Sequence, residues 1–223
     1  MNDQALSRIR GHVEHLLDLH IGLRHKLALL APLLPDGSAS VEKRSGSALL
    51  GLNVVRVTLF LSCVQDLAKA TLDKDKRAPS VVNIMSVLAN PSGRDALRQT
   101  YVASASKLDE DPGADFDATL AAIQDDWQHL QQTRQLASCQ MMRDKLIAHT
   151  EARLEGSSYL LLDVSTLDLK WTDVGALTLQ LEDIVVGLNK TIRGADFDFD
   201  DLDAKLEKAK REFWSLHMNA NER

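Results

Sequence analysis

The chain has 223 residues, 44% of them hydrophobic and 26% charged, a balance that excludes a disordered chain and supplies one sizeable core. A formal net charge of −6 and a pI near 5.6 exclude a broad basic face laid along DNA, so no DNA partner is expected. A local phosphate pocket needs only a few basic side chains and stays open. Aromatic residues are scarce at 4%, and Leu and Ala dominate the apolar set, which favours helix over sheet. The expectation is an all-α helical bundle forming a single domain over residues 1–223. Cys63 and Cys139 sit in apolar helical patterns and read as small buried hydrophobes of a reducing compartment.

The first element runs from about Gln4 to Leu30. Leu6, Ile9, Val13, Leu16, Leu23, Leu27 and Leu30 step by three and four, with His20 filling the one gap. The segment starts as an amphipathic helix rather than a signal peptide, so a cytoplasmic location is expected. Pro32 and Pro35 stop it, and Asp36-Gly37-Ser38 turns the chain, closing an N-terminal unit over residues 1–38. A second helix is predicted from about Val41 to Leu72. From Leu49 onward it is apolar on most sides, the pattern of a buried central helix. Asn53, Arg56, Gln65, Asp66 and Lys69 interrupt it and argue against a membrane span.

Asp73 to Pro79 reads as a charged, solvated loop. Ser80 is placed as the N-cap of a short helix through Leu88, which Asn90-Pro91 ends. A further helix is expected over Gly93 to Leu108. The longest pattern follows: Leu120, Ile123, Trp127, Leu130, Ala137 and Met141 predict one helix continuing through His149. Tyr159 to Val164 is a short apolar run compatible with extended chain. Thr172-Asp173 is read as cap and first turn of a helix bearing Val174, Leu177, Leu181, Ile184 and Leu188, with Gly194 as its stop. Residues 196–223 carry a last amphipathic helix, and the acidic run from Asp196 to Asp203 places charge at its N-terminus.

Residues 143–149 read Arg-Asp-Lys-Leu-Ile-Ala-His. This resembles the Arg-x(4–6)-His motif of the HEPN superfamily, in which a polar residue commonly follows the Arg. Asp66-Leu67 and the stretch Pro79 to Leu88 resemble its abortive-infection, AbiU-like branch. The resemblance covers about residues 45–190 and implies a HEPN-like four-helix core, at about 41–192, with peripheral helices. It also implies a metal-independent endoribonuclease without cofactor, acting on RNA as a homodimer whose two motifs face each other. Many such proteins are toxins or phage-defence effectors, so an antitoxin protein is an expected partner. Some members bind RNA or nucleotide without cutting, which leaves a non-catalytic binding module as the alternative. In some, a Tyr shortly after the motif is modified by a nucleotidyltransferase. Here Thr150-Glu151-Ala152-Arg153 follow and the next Tyr is Tyr159, so that form of silencing is not expected.

The residue types suit the chemistry. His149 can exchange protons near neutral pH, Arg143 offers a planar fork to phosphate oxygens, and Asp144 can orient either. Lys145 and Arg56 are weaker candidates for RNA contact. On an ideal helix, residues six apart are rotated by about 120°, so Arg143 and His149 do not stack, and a surface Arg beside a core-facing His remains the competing reading. Arg56 and Asp66, inside the most apolar helix, are expected to be paired. His12 and His15 are three apart, but no obvious further ligands accompany them, so no metal is expected.

Overall fold

The computed structural model describes residues 2–34, 46–105, 111–148, 152–155, 158–161 and 168–218. It is an all-α bundle of α1 (Asp3–Leu30), α2 (Gly46–Leu72), α3 (Val81–Leu88), α4 (Pro91–Ser104), α5 (Pro112–Gln131), α6 (Arg134–Met142), α7 (Trp171–Leu188) and α8 (Phe199–Met218). One small antiparallel hairpin, β1 (Ala152–Glu155) with β2 (Ser158–Leu161), is attached, pairing Leu154 with Tyr159. The extended run foreseen from Tyr159 to Val164 thus overlaps β2 at residues 159–161, while residues 162–164 lie outside the described residues.

Side-chain chemistry sets the helix ends. Asn2 Oδ1 accepts from the Ala5 amide at 2.9 Å, and Asp111 Oδ1 from Ala114 at 2.9 Å, each satisfying an amide that has no helical partner. Ser80 holds the N-cap position of α3, but its hydroxyl donates to the Asp73 carbonyl at 2.5 Å instead of accepting an amide. α4 begins at Pro91 rather than Gly93, because Asn90 accepts from Ser92 and proline suits the first helical position. It ends at Ser104, since Ala105 is already extended. α7 starts at Trp171, with the Asp173 carboxylate accepting from the Lys170 amide at 2.7 Å, so Thr172 lies inside the helix and is not its cap.

Two expectations need larger corrections. The long helix foreseen from Leu120 to His149 is two helices and a π-helical turn. Thr133 Oγ1 donates to the Leu130 carbonyl at 2.8 Å and accepts from the Leu136 amide at 3.3 Å, ending α5 and capping α6 in one residue. The phase shifts there: α6 buries Leu136, Cys139 and Met142, while Met141 is exposed. Second, α2 is not buried throughout. Phe60, Cys63, Val64, Leu67, Ala68 and Ala70 enter the core, but Leu49, Leu50, Val54, Val55 and Val57 are exposed, Leu50 at 68% and Val54 at 59%. Among the described residues Leu49–Leu72 is the one helix long and apolar enough to cross a membrane, with mean hydropathy 1.3.

The most enclosed helix is α7, which buries Val174, Leu177, Leu181, Ile184, Val185 and Leu188 against α1, α5 and α2. A Cβ on Gly187 would come within 2.6 Å of Ile123 Cγ1, so α5 and α7 approach this closely only because that residue is glycine. Past α7, a π-helical stretch, Asn189–Arg193, ends at Gly194, whose φ of +68° is the left-handed stop foreseen from sequence.

Candidate functional site

The last turn of α6 leads directly into a six-residue π-helical segment, Arg143–Ala148, that carries most of the motif. A π turn pairs residues five apart instead of four, so the projection made on an ideal helix no longer holds from Arg143 onward. Such turns are uncommon and concentrate at functional sites. The segment packs on α2 and on the end of α6. Met142, just before it, is fully buried, while Arg143, Asp144 and Lys145 are half-buried.

Arg143 is partly exposed, its side chain 23% accessible against 48% for Asp144. Its Nε donates to Asp144 Oδ1 at 2.7 Å, and an Nη lies 2.6 Å from the same oxygen. A guanidinium has five N–H donors in a rigid fork. Two of them face Asp144, which holds the fork in one orientation and leaves the others for a further acceptor. Lys145 follows in the same turn and is partly buried. His149 lies outside the described residues, so its role stands on the sequence.

Arg56 was expected in an ion pair. Instead its Nη2 donates to Asn53 Oδ1 at 2.5 Å, and its Cζ lies 6.0 Å from the centroid of the Trp171 ring. Trp171 in turn packs on Phe60, centroids 4.0 Å apart, joining the start of α7 to the middle of α2. The uncharged amide and the ring face hold this guanidinium where no carboxylate of the described residues does. Arg56 also lines a cleft of about 370 Å³ with Leu33, Leu49, Leu50 and Leu52, at the exposed end of α2. Asp66 is paired as expected, with Lys26 Nζ at 2.5 Å.

A buried polar cluster escaped sequence reasoning. His20 is fully buried, and its Nε2 lies 3.1 Å from Glu182 Oε2. Arg24 pairs with both Glu182 and Asp203, and the Phe199 ring stands edge-on to His20 at 5.3 Å. These contacts tie α1, α7 and α8 together. Burial lowers the His20 pKa; the hydrogen bond and charge of Glu182 oppose that shift. His20 Nδ1 has no partner among the described atoms. The only sequence signal was a histidine on an otherwise apolar seam.

Both cysteines are buried and unpaired, and burial pushes each thiol up to about 12, so neither is a thiolate near neutral pH. Among the described residues no group of three or more His, Cys, Asp or Glu is placed to hold a metal ion.

The family model for AbiU2, of the HEPN class, matches residues 6–213, a wider span than the motif and its surroundings suggested. No curated protein and no solved structure matches the chain.

Proposed function

Since the chain belongs to the AbiU2 family of HEPN proteins, which connects it to abortive infection, we propose that it is a metal-independent endoribonuclease of a phage-defence or toxin–antitoxin system. The observation that carries this reading is the Arg143 fork, anchored on Asp144 and partly open to solvent on a π turn.

In the proposed reaction the 2′-hydroxyl oxygen of one nucleotide attacks its own 3′-phosphorus. The P–O2′ bond forms, the P–O5′ bond breaks, and the ends are a 2′,3′-cyclic phosphate and a 5′-hydroxyl. The proton leaving O2′ is taken up by a base, and one is returned to O5′. His149 is assigned that exchange, since imidazole titrates near neutral pH. Arg143 is assigned the phosphorane charge, and Lys145 an outer contact to the strand. Asp144 acts on Arg143 as a positioning residue.

The acting unit is proposed to be a homodimer joined through the exposed apolar strip of α2. Five large apolar side chains within nine residues, Leu49 to Val57, form a patch of the kind that marks an interaction surface. A two-fold pairing of α2 would bring the π segments of both chains toward one interface, because each segment packs on its own α2. A lipid phase is a poorer occupant. The second half of the same helix is sealed in the bundle, with Asp66 paired to Lys26 of α1. An antitoxin partner, a cytoplasmic location and the absence of a cofactor belong to the same proposal.

The test is cutting of single-stranded RNA by purified protein in EDTA. Arg143→Ala and His149→Ala should each lower the rate by about 100-fold or more with helicity unchanged. Magnesium-dependent cutting that survives both substitutions defeats the reading.

A further inference from the structure

We infer that the groove between the start of α1 and the α3–α4 corner binds the phosphate of a nucleotide unit. The groove encloses about 400 Å³, within the range of small-molecule clefts, and among the described residues none of α6 or the π segment lines it. Its floor is apolar, from Ile9 and Ile84, both buried in the core. Its rim carries Arg8, His12 and Lys76, and among the described residues no carboxylate lines it, in a chain whose net charge is −6.

Two acids of the loop that carries Lys76 have partners of their own. Asp75 grips Arg77 at 2.7 Å, and that contact holds its carboxyl down to about 2; Asp73 Oδ1 accepts from the Asp75 amide at 3.0 Å. Among the described residues Arg8 and Lys76 have no ion-pair partner. The charges are close enough to be felt: after burial, the positive Arg8 is the next cause lowering the His12 pKa, followed by His15.

The groove is also stiffly built. Asn83 Nδ2 donates to the carbonyls of Asp73, Asp75 and Ala78, fixing the loop that carries Lys76 onto α3. Gly93 lets α4 start hard against α3, since a Cβ there would meet the Val87 carbonyl oxygen at 2.6 Å. An apolar floor under a cationic rim accepts a base below and a phosphate above. As a seat for one unit of an RNA strand, the groove rests on the ribonuclease reading; as a seat for a free nucleotide, it does not.

The experiment uses the full chain carrying Arg143→Ala, so that RNA is not consumed. Binding of adenosine 5′-monophosphate, of adenosine and of a short single-stranded RNA is measured with and without the pair Arg8→Ala and Lys76→Ala. Both positions are exposed, and circular dichroism checks that helicity is kept. The double substitution should weaken the phosphate-bearing probe about tenfold or more and, for RNA, reduce the salt slope by about one to two. Loss of the monophosphate identifies a free nucleotide as the source, and loss of RNA alone identifies the strand. Adenosine binding as well as its monophosphate overturns the inference, as does binding indifferent to the substitutions, or no binding of either phosphate-bearing probe. Cutting by chain with Arg143 intact is scored separately. If it is absent while the Arg8- and Lys76-dependent binding persists, the nuclease reading falls and the groove stands.

Discussion

The first half of α2 and the whole of α7 are written in nearly the same apolar alphabet, yet the bundle treats them oppositely. In α7 Val174, Leu177, Leu181, Ile184 and Leu188 are covered by α1, α2 and α5, and only Leu179 of its large apolar side chains is exposed. In α2 Leu49, Leu50, Val54, Val55 and Val57 face outward. Apolar composition reports that a surface wants covering; it does not report whether the cover comes from the same chain. On the present account α7 is satisfied within the chain and α2 by a second copy.

Truncation separates the two most sharply. Leu181→Ala, in the fully buried centre of α7, should cost roughly 2–5 kcal/mol through lost transfer energy and a residual cavity. Chemical denaturation reads it directly, and a loss below about 1 kcal/mol would mean α7 is not the centre of the core. Gly187→Ala should cost about 1–3 kcal/mol, because its methyl group meets Ile123; an unchanged midpoint would show that α5 can retreat freely. Leu50→Asp and Val54→Asp should shift monomer stability by no more than about 0.5 kcal/mol. They should also convert a dimer into monomers by sedimentation. A mass that stays dimeric removes α2 from the interface.

The smallest effect concerns pH. The folded-state pKa of His20 is lowered from its usual 6.5, chiefly by burial, so the unfolded chain binds the proton more readily. Its contribution to stability is present above about pH 6.5 and is lost as pH falls through that window. His20→Gln should flatten the stability profile between neutrality and mild acid. An equally steep profile would place the dependence on other groups.

Much of the fold was legible because it is local. The three-four seam of α1, the glycine stop at Gly194 and the acids at the start of α8 each rest on near neighbours. What was not legible depends on distant partners or on local geometry that the pattern hides. The role of His20 is set by Glu182, a residue 162 positions away. The Leu120–Met141 stagger skips one step at Thr133-Arg134, where the helix breaks, but Ala137 and Met141 resume the spacing and hide it, while α6 turns Leu136, Cys139 and Met142 inward. No sequence signal marked the π turn at Arg143. Of the candidate site, the Arg143–Asp144 contact was accessible from sequence, since adjacent residues can share a turn. The replacement of an ion pair at Arg56 by Asn53 and the face of Trp171 was not, because that ring arrives from α7.

The central claim is that Arg143 and its motif cut RNA through the 2′-hydroxyl. The most direct measurement is the chemistry of the ends left on RNA incubated with the protein in EDTA. The account predicts 2′,3′-cyclic phosphate and 5′-hydroxyl ends from the unaltered chain and none from Arg143→Ala. Ends carrying a 3′-hydroxyl, or identical cleavage by the Arg143→Ala chain, would contradict it.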